Sequence, residues 1–151
     1  SSMKLIGSEI GAMGMGIPAG VAAALRYPNR QVFSIVGDGG ALMTGSELAT
    51  AVAQKAKIRV IIANNQHYGT IRYHQEVHFP TRNHYATNLV NPDFAKYGES
   101  FGLQCFTINE VEDIIPTIQK AMEVDGPSLI EFKMSLELNT STTTLTQLQM
   151  K

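Results

Sequence analysis

The stretch that decides the fold is residues 31–65, QVFSIVGDGGALMTGSELATAVAQKAKIRVIIANN. Residues 31–36 and 59–63 are short, mostly apolar and rich in β-branched side chains, which is typical of strands buried on both faces in a parallel sheet. Between them, residues 44–47 (TGSE) have the spacing of a helix capping box, and a helix of about three turns follows. The stretch therefore predicts a β-α-β unit with a right-handed connection.

The rest of the chain continues this alternation of helices and strands. Three further helices are predicted: residues 16–25, a helix with Pro92 in its first turn, and residues 111–124. The first of them is small and apolar, which indicates that it packs closely on a flat surface. The further strands are residues 103–108 and 128–134. We interpret residues 66–91, which are polar and contain four His, as a long functional loop with at most a short helix. The pattern predicts an α/β fold: a three-layer αβα arrangement with a mostly parallel central sheet.

The chain length indicates one main domain. The sequence has 151 residues and 44% hydrophobic residues, enough for a sizeable core. We expect a folded domain over residues 1–135. Residues 136–151 are predicted to form a C-terminal tail that is bound to the surface or partly disordered.

Composition excludes several classes of protein. With 12 Lys+Arg against 13 Asp+Glu, the chain has no basic surface for nucleic acid. No uninterrupted apolar run is long enough to span a bilayer. One cysteine, Cys105, excludes an internal disulfide framework, and no signal-peptide pattern is present at the start. We therefore expect a cytoplasmic protein that binds neither nucleic acid nor membrane.

Two polar motifs follow the two strands of the opening stretch. Gly37-Asp38-Gly39 follows the first strand, and Asn64-Asn65 follows the second. Ligands of open α/β sheets bind outside the carboxyl ends of the strands. The Asp38 carboxylate and the Asn65 amide oxygen suit Mg²⁺ or Ca²⁺, and Mg²⁺ usually shares its ligand shell with phosphates, so the pair predicts a phosphorylated cofactor. We expect the N–H groups of Gly39 and Gly40 to face its anion, ahead of a helix that starts near Thr44.

Together these motifs resemble those of thiamine-diphosphate-dependent enzymes, in which a GDG motif and a paired Asn are separated by a spacer like the 24 residues 40–63. Residues 10–19 (IGAMGMGIPA) resemble the loop that faces the cofactor aminopyrimidine, and residues 68–72 (YGTIR) resemble the stretch after the paired Asn. The resemblance extends to about Lys133. It is closest to the acetolactate-synthase-like group of 2-oxo acid carboligases and decarboxylases.

The resemblance implies a site for Mg²⁺ and thiamine diphosphate. Asp38, the Asn65 side chain and the main-chain oxygen of His67 would bind Mg²⁺, with two diphosphate oxygens and a water completing an octahedron. The Gly11 carbonyl would accept a hydrogen bond from the aminopyrimidine amine. Met13 would lie beneath the cofactor and hold it bent, so that this amine reaches the reacting carbon. The other residues implied in cofactor binding are Gly37, Gly39, Gly40, Tyr68, Gly69 and Thr70.

The resemblance also implies parts that this chain lacks. In the family, the glutamate that activates the pyrimidine lies in a separate amino-terminal domain, usually of a partner subunit. We therefore expect this chain alone to be inactive and the intact protein to be a homodimer or homotetramer acting on a small 2-oxo acid. Acetolactate synthases have an acidic stretch and a tryptophan after the paired Asn, whereas this chain has residues 66–69 (QHYG) and no Trp, which argues against acetolactate synthesis itself.

Other patterns leave alternatives open. Residues 14–20 approximate a dinucleotide-binding fingerprint, but no convincing strand precedes them. His74 and His78 have the i, i+4 spacing of a metal pair, although a loop facing solvent or substrate is favoured there, with Arg72, His74 and Gln75 near a substrate entrance. Cys105 is predicted to be a core residue. A non-catalytic assembly domain that keeps the same fold is the main alternative to an enzyme.

Overall fold

The computed structural model describes residues 4–7, 11–79, 84–140 and 143–149. Its helices are α1 (Gly16–Arg26), α2 (Asp38–Thr44), α3 (Glu47–Ala53), α4 (Gly69–His78), α5 (Phe94–Ser100), α6 (Ile114–Glu123) and α7 (Leu145–Gln149). Its strands are β1 (Val32–Gly37), β2 (Ile58–Asn64), β3 (Gln104–Ile108), β4 (Ser128–Lys133), β5 (Leu138–Thr140) and β6 (Thr143–Thr144). A short 3-10 turn, Val111–Asp113, precedes α6.

Strands β1, β2, β4 and β3 form, in that order, a parallel four-stranded sheet. The predicted α/β fold with a parallel central sheet is confirmed. In the pair β1–β2, Val36 lies opposite Ile62 and Gly37 lies opposite Ala63. The two strands therefore end side by side, and the polar residues that follow them meet at one edge of the sheet.

The larger core lies on the face of the sheet that carries α1, α3 and α5. Its large, fully buried side chains include Ile17, Leu48, Ile58, Ile62, Phe94 and Leu129. Helix α1 lies very close to the strands, as predicted from its small residues. A Cβ added at Gly20 would lie 2.6 Å from Ile58 Cδ1 and 2.9 Å from Ser34 Cβ. Only glycine allows this approach.

The opposite face is covered only in part by the described residues. Helix α6 packs on β3 and β4, where Ile108, Ala121 and Ile130 form a second, smaller core. On that face of β1, Phe33 is 42% exposed and Ile35 is 73% exposed. The interpretation of residues 31–36 as a strand buried on both faces is therefore wrong. Strand β1 forms one edge of the sheet, and α6 packs near the opposite edge, on β3 and β4.

Helix α2 begins at Asp38, directly after β1, and not near Thr44. The predicted capping box at residues 44–47 is wrong, because no side chain caps α3. The Thr44 hydroxyl instead donates to the Gly14 carbonyl at 2.7 Å. A long-range hydrogen bond therefore replaces the local cap, and it fastens the loop before α1 to the end of α2.

Residues 66–91 contain one helix of ten residues, α4, and the other described residues of this segment form neither helix nor strand, as expected for a long loop with a short helix. Its buried face is polar: Arg72 Nε donates to Glu76 Oε1 at 2.6 Å, and Arg72 Nη1 donates to Asn88 Oδ1 at 3.1 Å. Both Arg72 and Glu76 are at most 7% exposed. Hydrophobic periodicity did not give the position of this short helix, because an ion pair, and not an apolar stripe, faces the interior.

Helix α5 is held at its start by a side-chain cap. The Asp93 carboxylate accepts the Lys96 N–H at 3.0 Å, and this hydrogen bond lowers the pKa of Asp93. Pro92 precedes the cap, so its predicted place in the first helical turn is wrong. The cap fixes the chain direction of residues 91–93.

The chain after β4 returns to α4. Strands β5 and β6 pair antiparallel, and α7 packs on α4 with Leu145 and Leu148 buried. Residues 141, 142, 150 and 151 of the predicted tail lie outside the described residues, and the boundary at 135/136 stays a prediction. In the part of the chain that the structure describes, no helix has the length and apolar character needed to cross a bilayer.

Strand β2 carries a buried arginine near its start. The Arg59 guanidinium donates to the carbonyls of Val124 (2.8 Å), Gly126 (2.5 Å) and Met122 (3.3 Å), at the end of α6 and in the turn before β4. A cation is favoured at the carboxyl end of a helix. Desolvation lowers the pKa of Arg59, and the charge of Asp125 opposes this shift. Arg59 thus fastens α6 to the amino end of the sheet.

Candidate metal and cofactor site

Asp38 lies where β1 ends and α2 begins, and its side chain is only 2% exposed. Its Oδ1 accepts the N–H of Gly39 at 2.9 Å. Its Oδ2 accepts the N–H of Gln66 at 2.7 Å and the side-chain amide of Asn91 at 2.7 Å. Because Gln66 directly follows the paired Asn, the first of these bonds to Oδ2 joins the two predicted motifs.

The two asparagines at the end of β2 point to different surroundings. Asn64 is buried, and its amide donates to Glu131 Oε1 at 2.8 Å. Asn65 lines a cleft, where its Oδ1 accepts the His67 N–H at 3.3 Å and its Nδ2 donates to the Leu138 carbonyl at 3.2 Å. The motif therefore combines one asparagine that supports the fold with one that lines the cleft.

The backbone after the paired Asn is held in an unusual conformation. Gln66 has φ of 60°, a left-handed value that costs a non-glycine residue about 1 kcal/mol. Its carbonyl accepts the Leu89 N–H at 2.8 Å, and the Tyr68 N–H donates to the Thr87 carbonyl at 2.9 Å. The segment 87–89 thus fixes the main chain of His67 between these two bonds. Such strain is concentrated at functional sites.

A cleft of about 530 Å³ opens at this edge of the sheet. The predicted site residues that line it are Met13, Gly37, Asp38, Gly39, Gly40, Asn65, His67, Tyr68, Gly69 and Thr70. Gly11 does not line the cleft, although its neighbour Ala12 does. Of the loop 10–19, Ile10 lies outside the described residues. The structure therefore brings every predicted site residue except Gly11 to one cavity.

Gly39 allows the Tyr68 ring to pack against α2. A Cβ at Gly39 would lie 2.6 Å from Tyr68 Cδ1 and closer still to Tyr68 Cε1, so no larger residue fits without moving the ring. The N–H of Gly39 donates to Asp38 Oδ1. The prediction that the Gly39 N–H faces a bound anion is therefore wrong. Gly40 lies in the same helical turn and lines the cleft.

The donors at the cleft fit a hard divalent cation. Three of the residues that line the cleft, Asp38, Asn65 and His67, can offer a carboxylate, an amide oxygen and a main-chain oxygen, and hydrogen bonds fix the backbone around them. Oxygen donors of this kind suit Mg²⁺, which keeps positions for phosphate oxygens and water. Among the described residues, no three His, Cys, Asp or Glu side chains gather in a way that could hold a metal ion.

The structure does not support a substrate entrance at Arg72, His74 and Gln75. None of the three lines the cleft, and Arg72 is buried in its ion pair. His74 and His78 stack with ring centroids 5.5 Å apart, without a third metal-binding side chain among the described residues. The described residues before α1, 4–7 and 11–15, form no strand, which removes the context that a dinucleotide fingerprint requires.

Sequence reasoning missed two residues that support Asp38. Asn91 reaches Asp38 from the segment before α5, and Glu131 reaches Asn64 from β4. Glu131 gave a usable signal, because a single carboxylate stands in an otherwise mostly apolar buried strand. Asn91 gave no such signal, because an Asn before a Pro reads as an ordinary turn.

Residues 4–132 match the family model for the C-terminal TPP-binding domain of thiamine pyrophosphate enzymes. The chain belongs to this family. It is 35% identical over 133 residues to the putative thiamine pyrophosphate-containing protein YdaP of Bacillus subtilis, covering 88% of this chain and 23% of that protein. It is 33% identical over 132 residues to the acetolactate synthase large subunit of Pyropia yezoensis, covering 87% of this chain and 22% of that protein.

A solved structure gives the same result. The thiamine diphosphate-dependent 4-hydroxybenzoylformate decarboxylase of Rhodococcus jostii RHA1 aligns with a TM-score of 0.78 and 31% identity, covering 83% of this chain and 24% of that chain. The predicted resemblance to acetolactate-synthase-like enzymes and the predicted fold are confirmed. Thiamine diphosphate is the cofactor of the family, and Mg²⁺ is consistent with it. The chain spans less than a quarter of the length of these relatives.

Proposed function

We propose that this chain holds Mg²⁺ and the cofactor diphosphate in a thiamine-diphosphate-dependent enzyme that acts on 2-oxo acids. The observation that carries the proposal is the 2.7 Å hydrogen bond from the Gln66 N–H to Asp38 Oδ2, because it joins the two strand ends at one cleft. In this proposal the intact enzyme is a decarboxylase or carboligase, a lyase or transferase by class. Family membership supports the cofactor.

The residues of the cleft have separate tasks in this proposal. Asp38, the Asn65 amide oxygen and the His67 main-chain oxygen bind Mg²⁺. Gly37, Gly39, Gly40, Tyr68, Gly69 and Thr70 shape the surface beside the diphosphate. Met13 provides an apolar contact beneath the cofactor, and the Gly11 carbonyl accepts a hydrogen bond from the pyrimidine amine. When bound, thiamine diphosphate supplies a nucleophilic carbon and an electron sink for a 2-oxo acid.

The activating carboxylate must come from outside this cleft. Of the described residues that line it, Asp38 is the only acid, and its two oxygens accept hydrogen bonds from Gly39, Gln66 and Asn91. A carboxylate committed to these donors and to a metal does not activate the pyrimidine. We infer that an amino-terminal domain of the same or a partner subunit supplies the glutamate, and that this chain alone has negligible activity.

Exposed apolar side chains at the cleft support such a partner. Met13, Ile35 and Ile71 line the cleft, and they are 48%, 73% and 48% exposed. Contiguous exposed apolar surface of this kind marks an interaction site. A domain that covers these residues would bury them and close the cavity around the cofactor, as a homodimer or homotetramer of the intact enzyme would allow. The relatives named acetolactate synthase and 4-hydroxybenzoylformate decarboxylase support a small 2-oxo acid as substrate. In this proposal the intact enzyme is cytoplasmic.

Cofactor-dependent stabilisation of the full-length protein tests this function. Mg²⁺ plus thiamine diphosphate at about 100 times the dissociation constant should stabilise the native state by about 2.7 kcal/mol, while either alone should stabilise it less. We expect Asp38→Ala to abolish this gain. Asp113→Ala, which removes an exposed carboxylate away from the cleft, should leave it unchanged.

The result also separates the enzyme from the alternatives. Unchanged melting with cofactor and metal would contradict the proposal and favour a non-catalytic assembly domain. A full gain in the Asp38→Ala variant would contradict the metal-binding role of Asp38. Decarboxylation of pyruvate by this chain alone would contradict the inference that the glutamate lies elsewhere.

A further inference from the structure

The two oxygens of the Asp38 carboxylate have unequal partners. Oδ2 accepts two hydrogen bonds, from the Gln66 N–H and from the Asn91 amide, both at 2.7 Å. Oδ1 accepts one, from the adjacent Gly39 N–H at 2.9 Å. A carboxylate oxygen has two lone pairs. Among the described residues, Oδ2 therefore has both lone pairs occupied, and Oδ1 is the oxygen with one left for a cation.

The direction of the Asn91 amide follows from the chemistry of its neighbours. An ionised carboxylate only accepts hydrogen bonds, so the Asn91 group that faces Asp38 must be its NH₂. The same NH₂ donates to Asn64 Oδ1 at 2.8 Å. One amide group thus bridges the ends of β1 and β2.

A second carboxylate fixes the other end of this chain of hydrogen bonds. Glu131 is 2% exposed, and its Oε1 accepts from Asn64 Nδ2 at 2.8 Å. With its NH₂ committed to Glu131, Asn64 presents its oxygen to Asn91. Asn91 therefore donates in two directions, to Asp38 and to Asn64, and Asn64 donates onward to Glu131. These bonds fix which end of each amide faces its neighbours, and among the described residues they leave the Asn91 oxygen buried without a hydrogen-bond partner.

We propose that Asn91 is a positioning residue that occupies Asp38 Oδ2 and so leaves Oδ1 as the single oxygen offered to the metal. The inference rests on the proposed function. Mg²⁺ demands near-ideal octahedral geometry, whereas Ca²⁺ accepts one or both oxygens of a carboxylate in a flexible shell. Asn91 therefore favours Mg²⁺ over Ca²⁺, although it is not itself a ligand.

The test measures the two cations separately. Mg²⁺ and Ca²⁺ are titrated calorimetrically into the full-length protein at saturating thiamine diphosphate, for the wild type and for Asn91→Leu, which keeps the size of the side chain and removes both donors. We expect the dissociation constant for Mg²⁺ to rise about 10- to 100-fold, as for loss of other groups that orient metal ligands. The constant for Ca²⁺ should rise less than about threefold.

Two further variants make the result decisive. Asn91→Ala is the smaller change and serves if the leucine does not fold; water can enter and donate in its place, so we expect a smaller loss of Mg²⁺ affinity. Asp93→Ala is the matched control. It removes the cap of α5 and so loosens the same segment, but it leaves the hydrogen bonds to Asp38 in place. It should leave the affinity ratio of the two cations unchanged.

The outcomes distinguish this inference from the function on which it rests. If the wild type binds no Mg²⁺ with the cofactor, the proposed function fails and the inference fails with it. If the wild type binds Mg²⁺ and the folded Asn91 variants bind it equally well, the positioning role alone is overturned. Equal weakening of Mg²⁺ and Ca²⁺ would also overturn it, because that is the effect of a purely structural loss.

Discussion

Both ends of strand β2 bury polar side chains, but they use them differently. At the amino end, Arg59 donates to main-chain carbonyls around the end of α6, and every one of these partners belongs to the scaffold. At the carboxyl end, Asn64 joins Asn91 and Glu131, and Asn91 in turn donates to Asp38 Oδ2. The other oxygen, Oδ1, accepts one hydrogen bond, from the Gly39 N–H, and keeps room for a cation. Burial of a polar group therefore does not by itself indicate function. The distinguishing feature is an acceptor that the fold leaves at a cleft.

The largest effect on stability is expected at the amino end. Arg59→Met leaves the buried carbonyl of Gly126 and the partly buried carbonyl of Val124 without their charged donor, which should cost about 3 kcal/mol in the free energy of unfolding. Urea denaturation measures this loss. Lys57→Met, which breaks an exposed pair with Asp125, is the control and should cost less than about 1 kcal/mol. A similarly small loss of unfolding free energy in both variants would contradict the structural role assigned to Arg59.

At the carboxyl end, Gly39→Ala should destabilise the fold by about 1–3 kcal/mol, because its Cβ overlaps the Tyr68 ring. Gly40→Ala is the matched control: its Cβ would meet Gly14 N at an ordinary 3.7 Å, and alanine is the better helix former. Thermal unfolding of both variants without cofactor measures the difference. Equal melting temperatures would show that the ring does not depend on the glycine.

Cys105 shows how burial changes the pKa of a group that has no oppositely charged partner. Desolvation, with a smaller contribution from the charge of Glu99, raises the pKa of this thiol to about 11 from an ordinary 9.0. The folded state then keeps a proton that the unfolded state releases, so stability is full below pH 9 and falls as the pH rises toward 11. The free energy of unfolding should fall by about 1 kcal/mol between pH 8 and pH 10.

Cys105→Ala should remove that part of the pH dependence. Comparing urea midpoints of the two proteins at pH 8 and pH 10 isolates the thiol. The same slope in both proteins would show that the thiol titrates normally and would remove the contrast between buried groups with and without partners.

The sequence predicts the parallel sheet and the position of the cleft because both depend on local patterns. Two β-branched runs that end in polar motifs require only the general rule that ligands bind beyond strand ends. The different roles of Asn64 and Asn65 could not be predicted from the sequence, because the two residues differ only in the groups that each contacts in the folded structure. Asn91 was missed for the same reason: its partners are distant in the chain.

The errors in secondary structure have physical causes too. The capping box at residues 44–47 failed because the Thr44 hydroxyl finds the Gly14 carbonyl. The position of helix α4 could not be predicted, because its buried face holds the Arg72–Glu76 pair. In each case a long-range or polar contact prevailed over a local preference, and single-sequence patterns record only the local part.

The most direct measurement of the central claim is a double-mutant cycle for Mg²⁺ binding by the full-length protein at saturating thiamine diphosphate. If Asp38 and Asn65 bind the same cation, Asp38→Ala and Asn65→Ala should each weaken Mg²⁺ binding by more than about tenfold. The double variant should then bind Mg²⁺ only slightly more weakly than the single variant with the lower affinity. Losses that add independently, or an Asp38→Ala variant with wild-type affinity, would contradict the account.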